Sequence, residues 1–161
     1  MNNNYCHICG EKLIKKECGI DGYIDYCENC HEYRYNLFNI AVSMIVKCED
    51  EYLLIKQYGR DAFILVAGYI NNGESVEEAC NRELKEETNL VSKKVKILRS
   101  SYYNKSETLM INCLVEVSNK NIKVNDEIDY FEWFNKDEMQ KYVKENSLAS
   151  YFVERYLNDI L

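Results

Sequence analysis

Proline is absent from the 161-residue chain, so glycine, asparagine and aspartate must make the turns. No apolar run reaches the roughly 20 residues of a membrane-spanning helix. The opening stretch, MNNNYCHICG, lacks the basic start and apolar core of a secretory signal, which makes the cytoplasm the expected location. Positive charge is in deficit. The formal net charge is −7, which argues against nucleic acid held by general electrostatics. Internal repeats and low-complexity tracts are missing too. What is there is globular: 47% hydrophobic residues, and a length that fits one ordinary domain plus a small module.

Eight cysteines stand out against that background. Cys48, Cys80 and Cys113 sit in or beside apolar segments, where a free thiol behaves as a small buried hydrophobe. Four others are paired as Cys6-x-x-Cys9 and Cys27-x-x-Cys30. Two such knuckles match the spacing of a four-cysteine structural zinc site, with Zn–S bonds of about 2.3 Å. Gly10 follows the first knuckle, and Asp21-Gly22 marks a hairpin turn between the two. The expected order is knuckle, strand, turn, strand, knuckle. So short a segment has little core and needs its metal to fold. Cys18, His7 and His31 have no partner at matching spacing and are expected to be bystanders. A redox dithiol pair would need a flanking βαβ pattern, which is missing. Lys12, Lys15 and Lys16 form a small basic group that reads as a solvated face.

The stretch Gly68 to Leu90 organises the remainder. Ser75 followed by Glu78 is a capping box and starts a helix. Val76, Ala79, Cys80 and Leu84 then recur at helical spacing as a buried face. Each residue turns the helix by about 100°, which places Glu83 and Glu87 within about 40° of Val76 or Cys80. Glu86 falls close to Ala79. Carboxylates aimed inward are costly and raise each other's pKa unless a cation is present. Two explanations stand at this point: a solvated acidic face, or a divalent-cation site of the kind Mg²⁺ prefers.

The same stretch resembles a Nudix box, G-x5-E-x7-R-E-U-x-E-E-x-G-U with U aliphatic. Gly68, Glu74, Arg82, Glu83, Leu84, Glu86, Glu87 and Leu90 match in spacing. Asn89 stands where the pattern has Gly, and Asn is the next most tolerant residue of the left-handed conformation that ends a helix. The resemblance implies hydrolysis of a nucleoside diphosphate linked to a further group, with Mg²⁺ or Mn²⁺ bound by Glu83, Glu86 and Glu87. It implies that Arg82 orients Glu83, that Glu74 supports the loop, and that Gly68 lets backbone approach metal or phosphate. Many family members add an acid from a later loop. Glu127 is the candidate here, with Asp126 and Asp129 as rivals and a solvated acidic loop as the plain alternative. A four-cysteine ribbon ahead of the box is similar to the NADH pyrophosphatase branch, which implies NAD(H), ADP-ribose or a related nucleotide as substrate. That branch carries a proline- and aromatic-rich signature after the box. The stretch Ser100 to Thr108 lacks it and offers Tyr102 and Tyr103 as stacking rings, one of which should be structural. A homodimer is also implied by the resemblance.

Strand-like runs are expected at 39–47, 52–57, 63–70, 94–103, 109–117 and 129–134, and helices from Ser75, at 135–142 (capped by Asn135 with Glu138) and at 148–157. In bulk this is α/β or α+β. The resemblance sharpens it to a Nudix fold, a mixed sheet sandwiched between helices. The ribbon is expected over 1–36 and the Nudix domain over 37–161. A non-catalytic alternative, in which the ribbon binds protein or nucleic acid and the larger domain senses a nucleotide, leaves the intact Arg82-Glu83 and Glu86-Glu87 without a reason.

Overall fold

A computed structural model describes residues 4–158. They form two compact units that divide between Phe38 and Asn39. No helix among the described residues is long and apolar enough to cross a membrane.

The first unit is a three-stranded antiparallel sheet, β1 (Ile14–Glu17), β2 (Tyr23–Cys27) and β3 (Glu32–Arg34), in that order. The β1–β2 connection is wider than an Asp21-Gly22 hairpin turn. A single 3-10 turn, Gly19–Asp21, fills it, and Gly22 closes it with φ of 73°. β3 is a third strand laid on β2, where the sequence left strand and ordered connection open. Nearly every side chain in this sheet is at least partly exposed.

The second unit is built on β4 (Asn39–Cys48), whose NIAVSMIVKC run is buried on both faces. A strand of that composition belongs at the centre of a covered sheet. The sheet order is β7 (Ser92–Tyr103), β8 (Thr108–Val117), β4, β5 (Glu51–Gln57), β9 (Ile128–Phe134), and β6 (Val66–Tyr69) also pairs with β4. β4 runs parallel to β8 and antiparallel to β5 and β6, so the sheet is mixed. Helix α1 (Val76–Thr88) covers one face through Ala79, Cys80 and Leu84. Helices α2 (Lys136–Tyr142) and α3 (Leu148–Leu157) cover the other through Met139, Phe152, Val153 and Leu157. This is the sandwich the sequence leads one to expect. Cys48, Cys80 and Cys113 are buried in the α1-side core.

One feature of β4 opens the site. Its pairing with β5 is confined to Lys47↔Tyr52 and Cys48↔Glu51. Further along, from Ala41 to Met44, its partner is β6 instead. The expected 63–70 run is accordingly broken. Val66–Tyr69 pairs with β4, while Phe63 and Ile64 make isolated bridges to Val143 and Ile55. The space between the end of β5 and β6 is left for side chains of α1 and of the β8–β9 loop.

Candidate active site and cysteine cluster

Both halves of the Ser75–Glu78 capping box are present and fix the start of α1. Asn89 ends it in the left-handed conformation, φ 58°, and its N–H donates to the Lys85 carbonyl at 3.0 Å. Asparagine therefore does the work of the glycine in the Nudix pattern.

Between these ends the helix turns its acids toward the sheet. Glu87 is 4% exposed, and the Glu83 side chain is 14% exposed. Glu86 differs: its side chain is 56% exposed. The buried arc runs from Ala79 to Thr88 and is centred near Glu87, and Glu86 lies about 100° from that centre. At this border a short Ala79 is covered, whereas a long glutamate reaches solvent.

Gly68, on β6, lies directly beneath Glu83. A β-carbon built there would sit inside the Glu83 carboxylate. Arg82 holds the arrangement from the side. Its Nε and Nη2 donate to the two oxygens of Glu74 at 2.6 and 2.8 Å. Its Nη1 donates to Glu83 at 2.7 Å and to Glu86 at 3.2 Å. Nη2 also donates to the Tyr69 carbonyl at 2.8 Å. One guanidinium thus ties helix, β6 and the 70–74 loop together by charge-assisted bonds. It holds the Glu74 carboxyl down at about 2.

Glu127 reaches the same place from the β8–β9 loop. A cleft of about 450 Å³ is lined by Glu83, Glu87 and Glu127, with Tyr58, Gly68, Tyr69 and Asn71 around them. Of the rivals, Asp129 is engaged elsewhere, accepting from the Gly59 N–H at 2.6 Å. Burial, then the charges of Glu83, Glu127 and Glu86, push Glu87 up to about 8, against a hydrogen bond from Gln57 at 3.1 Å. Mutually repelling anions on hard oxygen donors have the chemistry that suits a divalent cation such as Mg²⁺ or Mn²⁺, but among the described residues their oxygens are not gathered within 4.8 Å of one another as the paired cysteine sulfurs are.

The hairpin wall of the cleft comes from Ser106, Thr108 and Met110. Tyr102 and Tyr103 lie on β7 beside Leu109 and Thr108 and are not among its lining residues. No pattern in the chain pointed to Tyr58 or Ser106. Gln57 had one signal: it continues the Leu53, Ile55 alternation of β5 onto the face that α1 covers, but is polar.

The first unit brings its four paired cysteines together. The sulfurs of Cys6, Cys9, Cys27 and Cys30 all lie within 4.8 Å of one another. Cys9 and Cys27 are 3.4 Å apart, Cys6 and Cys30 3.9 Å. Four sulfurs placed tetrahedrally at about 2.3 Å from zinc are about 3.8 Å apart, so the group fits that metal. Cys18, His7 and His31 lie outside it. Gly10, φ 77°, donates to the Cys6 carbonyl at 2.8 Å and closes the first knuckle. Arg34, which sequence reasoning passed over, donates from Nε to Cys6 Sγ at 3.2 Å and draws that thiol down to about 5. A cation beside four sulfurs would offset the charge they would carry as zinc ligands.

Residues 37–156 match the NUDIX domain family. Among curated relatives, the NAD-capped RNA hydrolase NudC of Pseudomonas aeruginosa is 24% identical over 159 residues, covering 97% of this chain and 56% of the relative. The protein of the same name from Photorhabdus laumondii is 24% identical over 156 residues, covering 95% and 60%. The chain thus spans somewhat more than half the length of these relatives. Among solved structures, a NUDIX hydrolase from Nitrosomonas europaea superposes with a TM-score of 0.70 at 21% identity, covering 97% of this chain and 91% of that one. The NUDIX domain of Shewanella oneidensis NrtR, complexed with ADP ribose, gives 0.65 at 13% identity, covering 84% and 94%. At these identities the structural likeness speaks for the fold.

Proposed function

The chain belongs to the Nudix family, and from that premise we propose that it hydrolyses the diphosphate linkage of a nucleoside diphosphate joined to a further group, in a reaction dependent on a divalent cation. The convergence of Glu83 and Glu87 from α1 with Glu127 from the β8–β9 loop on one cleft carries this reading. Its volume of about 450 Å³ suits a small molecule. The curated relatives named above direct the choice of substrate to NAD-type dinucleotides, including those at the end of an RNA, and to ADP-ribose. The net charge of −7 opposes general RNA binding and leaves recognition of an RNA end to the cleft itself.

Glu83, Glu87 and Glu127 would hold the cation, with Glu86 at the solvent margin. Bound there, a divalent cation supplies charge neutralisation and Lewis acidity to the diphosphate. Arg82 fixes the Glu83 carboxylate while itself braced on Glu74 and the Tyr69 carbonyl. Gly68 leaves the room Glu83 occupies. A carboxylate of this set takes the proton of the attacking water. Most of the rate enhancement in such a site comes from positioning and fixed charge.

In the first unit, Cys6, Cys9, Cys27 and Cys30 would hold a structural Zn²⁺. Thiols in a metal-binding arrangement suit a reducing compartment such as the cytoplasm. The family resemblance carries the further proposal of a homodimer, which sedimentation measures directly.

Product chromatography with Mg²⁺ or Mn²⁺ tests the activity on NADH, NAD, an NAD-capped oligonucleotide, ADP-ribose, nucleotide sugars and nucleoside triphosphates. AMP and a nicotinamide mononucleotide from NADH are the expected products. Glu83→Gln should abolish turnover and spare ligand binding; ligand binding without turnover in the unmodified protein would favour a nucleotide-sensing role.

A further inference from the structure

Three successive residues at the end of β5 each hold one acid of the site or its loop. Gln57 Nε2 donates to Glu87 Oε2 at 3.1 Å. The Tyr58 hydroxyl donates to Glu127 Oε2 at 2.7 Å. The Gly59 N–H donates to Asp129 Oδ2 at 2.6 Å. Glu87 stands on α1, whereas Glu127 and Asp129 flank the start of β9, so this one segment grips acids from two separate elements.

The backbone is shaped for this. The register of β5 against β9 shifts between Lys56 and Gln57, an irregularity of the kind that re-aims side chains next to active sites. Gln57 keeps the face of Leu53 and Ile55 and so meets Glu87. Tyr58 then takes φ of 55°, a left-handed conformation that a bulky residue adopts where its surroundings impose it. The Tyr58 N–H also donates to the Glu127 carbonyl at 3.4 Å, so main chain and hydroxyl grip the same residue. Tyr58 is 63% exposed, which argues against a packing role for its ring.

We infer that Gln57 and Tyr58 are positioning residues. They set the spacing between the helix carboxylates and Glu127, Gln57 by orienting Glu87 toward the cation and Tyr58 by orienting Glu127 in the cleft. This rests on the metal-dependent reading given above. Groups that orient a ligating carboxylate typically change metal affinity or activity by about 10- to 100-fold when removed.

The test uses the full chain, Tyr58→Phe, Gln57→Ala, Glu127→Gln and the double variant Tyr58→Phe/Glu127→Gln. Mn²⁺ affinity is read by electron paramagnetic resonance, and kcat and KM on the best substrate of the panel. Gln57→Ala should weaken Mn²⁺ about tenfold. Tyr58→Phe should lower kcat about tenfold with KM within about twofold. Added to Glu127→Gln it should change nothing further, because it acts through a group already removed. Additive losses in the double variant, or unchanged Mn²⁺ affinity in Gln57→Ala, would overturn the inference, as would a failure of the unmodified protein to bind Mn²⁺. Mn²⁺ binding that is weakened in Gln57→Ala, with no substrate cleaved by the unmodified protein, would sink the hydrolase reading and uphold the role of Gln57.

Discussion

Gly68 and Glu83 share one space: the carboxylate of Glu83 occupies the position that any side chain at residue 68 would need. Gly68→Ala must therefore push Glu83 aside or shift β6. Overpacking of this kind typically costs about 1–3 kcal/mol. The displaced carboxylate should cost far more in function than in stability. We expect a drop in kcat of at least about a hundredfold, since a misplacement near 1 Å can cost that much. Steady-state kinetics beside a melting curve separate the two effects. Full activity in Gly68→Ala would show that Glu83 is free to move.

Arg82 and Glu74 form a two-pronged ion pair that lysine cannot reproduce. Arg82→Lys should therefore lower activity nearly as far as Arg82→Ala. The pair also has a pH signature. The Arg82 hydrogen bonds lower Glu74 in the folded protein from 4.5 to about 2. A lowered carboxyl contributes stability that is complete above its unfolded value and is lost as pH falls toward its folded one. The melting temperature should drop between about pH 4.5 and pH 2, and Glu74→Gln should flatten part of that drop. An unchanged acid limb in Glu74→Gln would place the sensitivity elsewhere.

The local signals were the legible ones. Ser75 with Glu78 and Asn135 with Glu138 announced two helix starts, because a capping box closes within four residues. The inward phase of Glu83 and Glu87 followed from helical geometry alone. Glu86 was harder, since the wheel gives an angle and not the edge of the covering sheet. Contacts between distant segments were less legible: a polar Gln57 on an apolar face signals a partner without naming it. Gln57 meets Glu87 across 30 residues and Tyr58 meets Glu127 across 69. Composition offered Tyr102 and Tyr103 as rings that stack or pack in the sheet, whereas hairpin geometry, which composition does not give, brings Ser106 and Thr108 to the cleft lining.

Glu87 carries the opposite pH sign from Glu74. Its folded-state value is raised from 4.5 to about 8, first by burial, then by Glu83, Glu127 and Glu86, with Gln57 pulling the other way. A folded protein that keeps a proton the unfolded chain gives up loses stability as pH rises between those values. With Mg²⁺ and Mn²⁺ dialysed away and zinc retained, the melting temperature should fall from about pH 5 to pH 8. Glu87→Gln should remove that slope, and added Mn²⁺ should offset it, because cation binding displaces the proton. A slope that survives in Glu87→Gln would refute the assignment.

The first unit makes the strongest claim on a metal. Cys6 and Cys27 are the buried side chains among its described residues, so the cysteines themselves stand where a hydrophobic core would be. A three-stranded sheet without a core is not stable on its own. Zinc binding to such segments is worth about 10–16 kcal/mol at neutral pH, enough to make folding and metal binding one event. The protein should retain one zinc per chain through purification. Its removal by a strong chelator should raise hydrogen exchange throughout residues 4–38. Cys27→Ser should do the same without the chelator. Arg34→Ala should act more weakly, lowering zinc affinity about tenfold by removing the donor to Cys6. Undiminished protection of 4–38 after zinc loss would show that the strands hold without the metal.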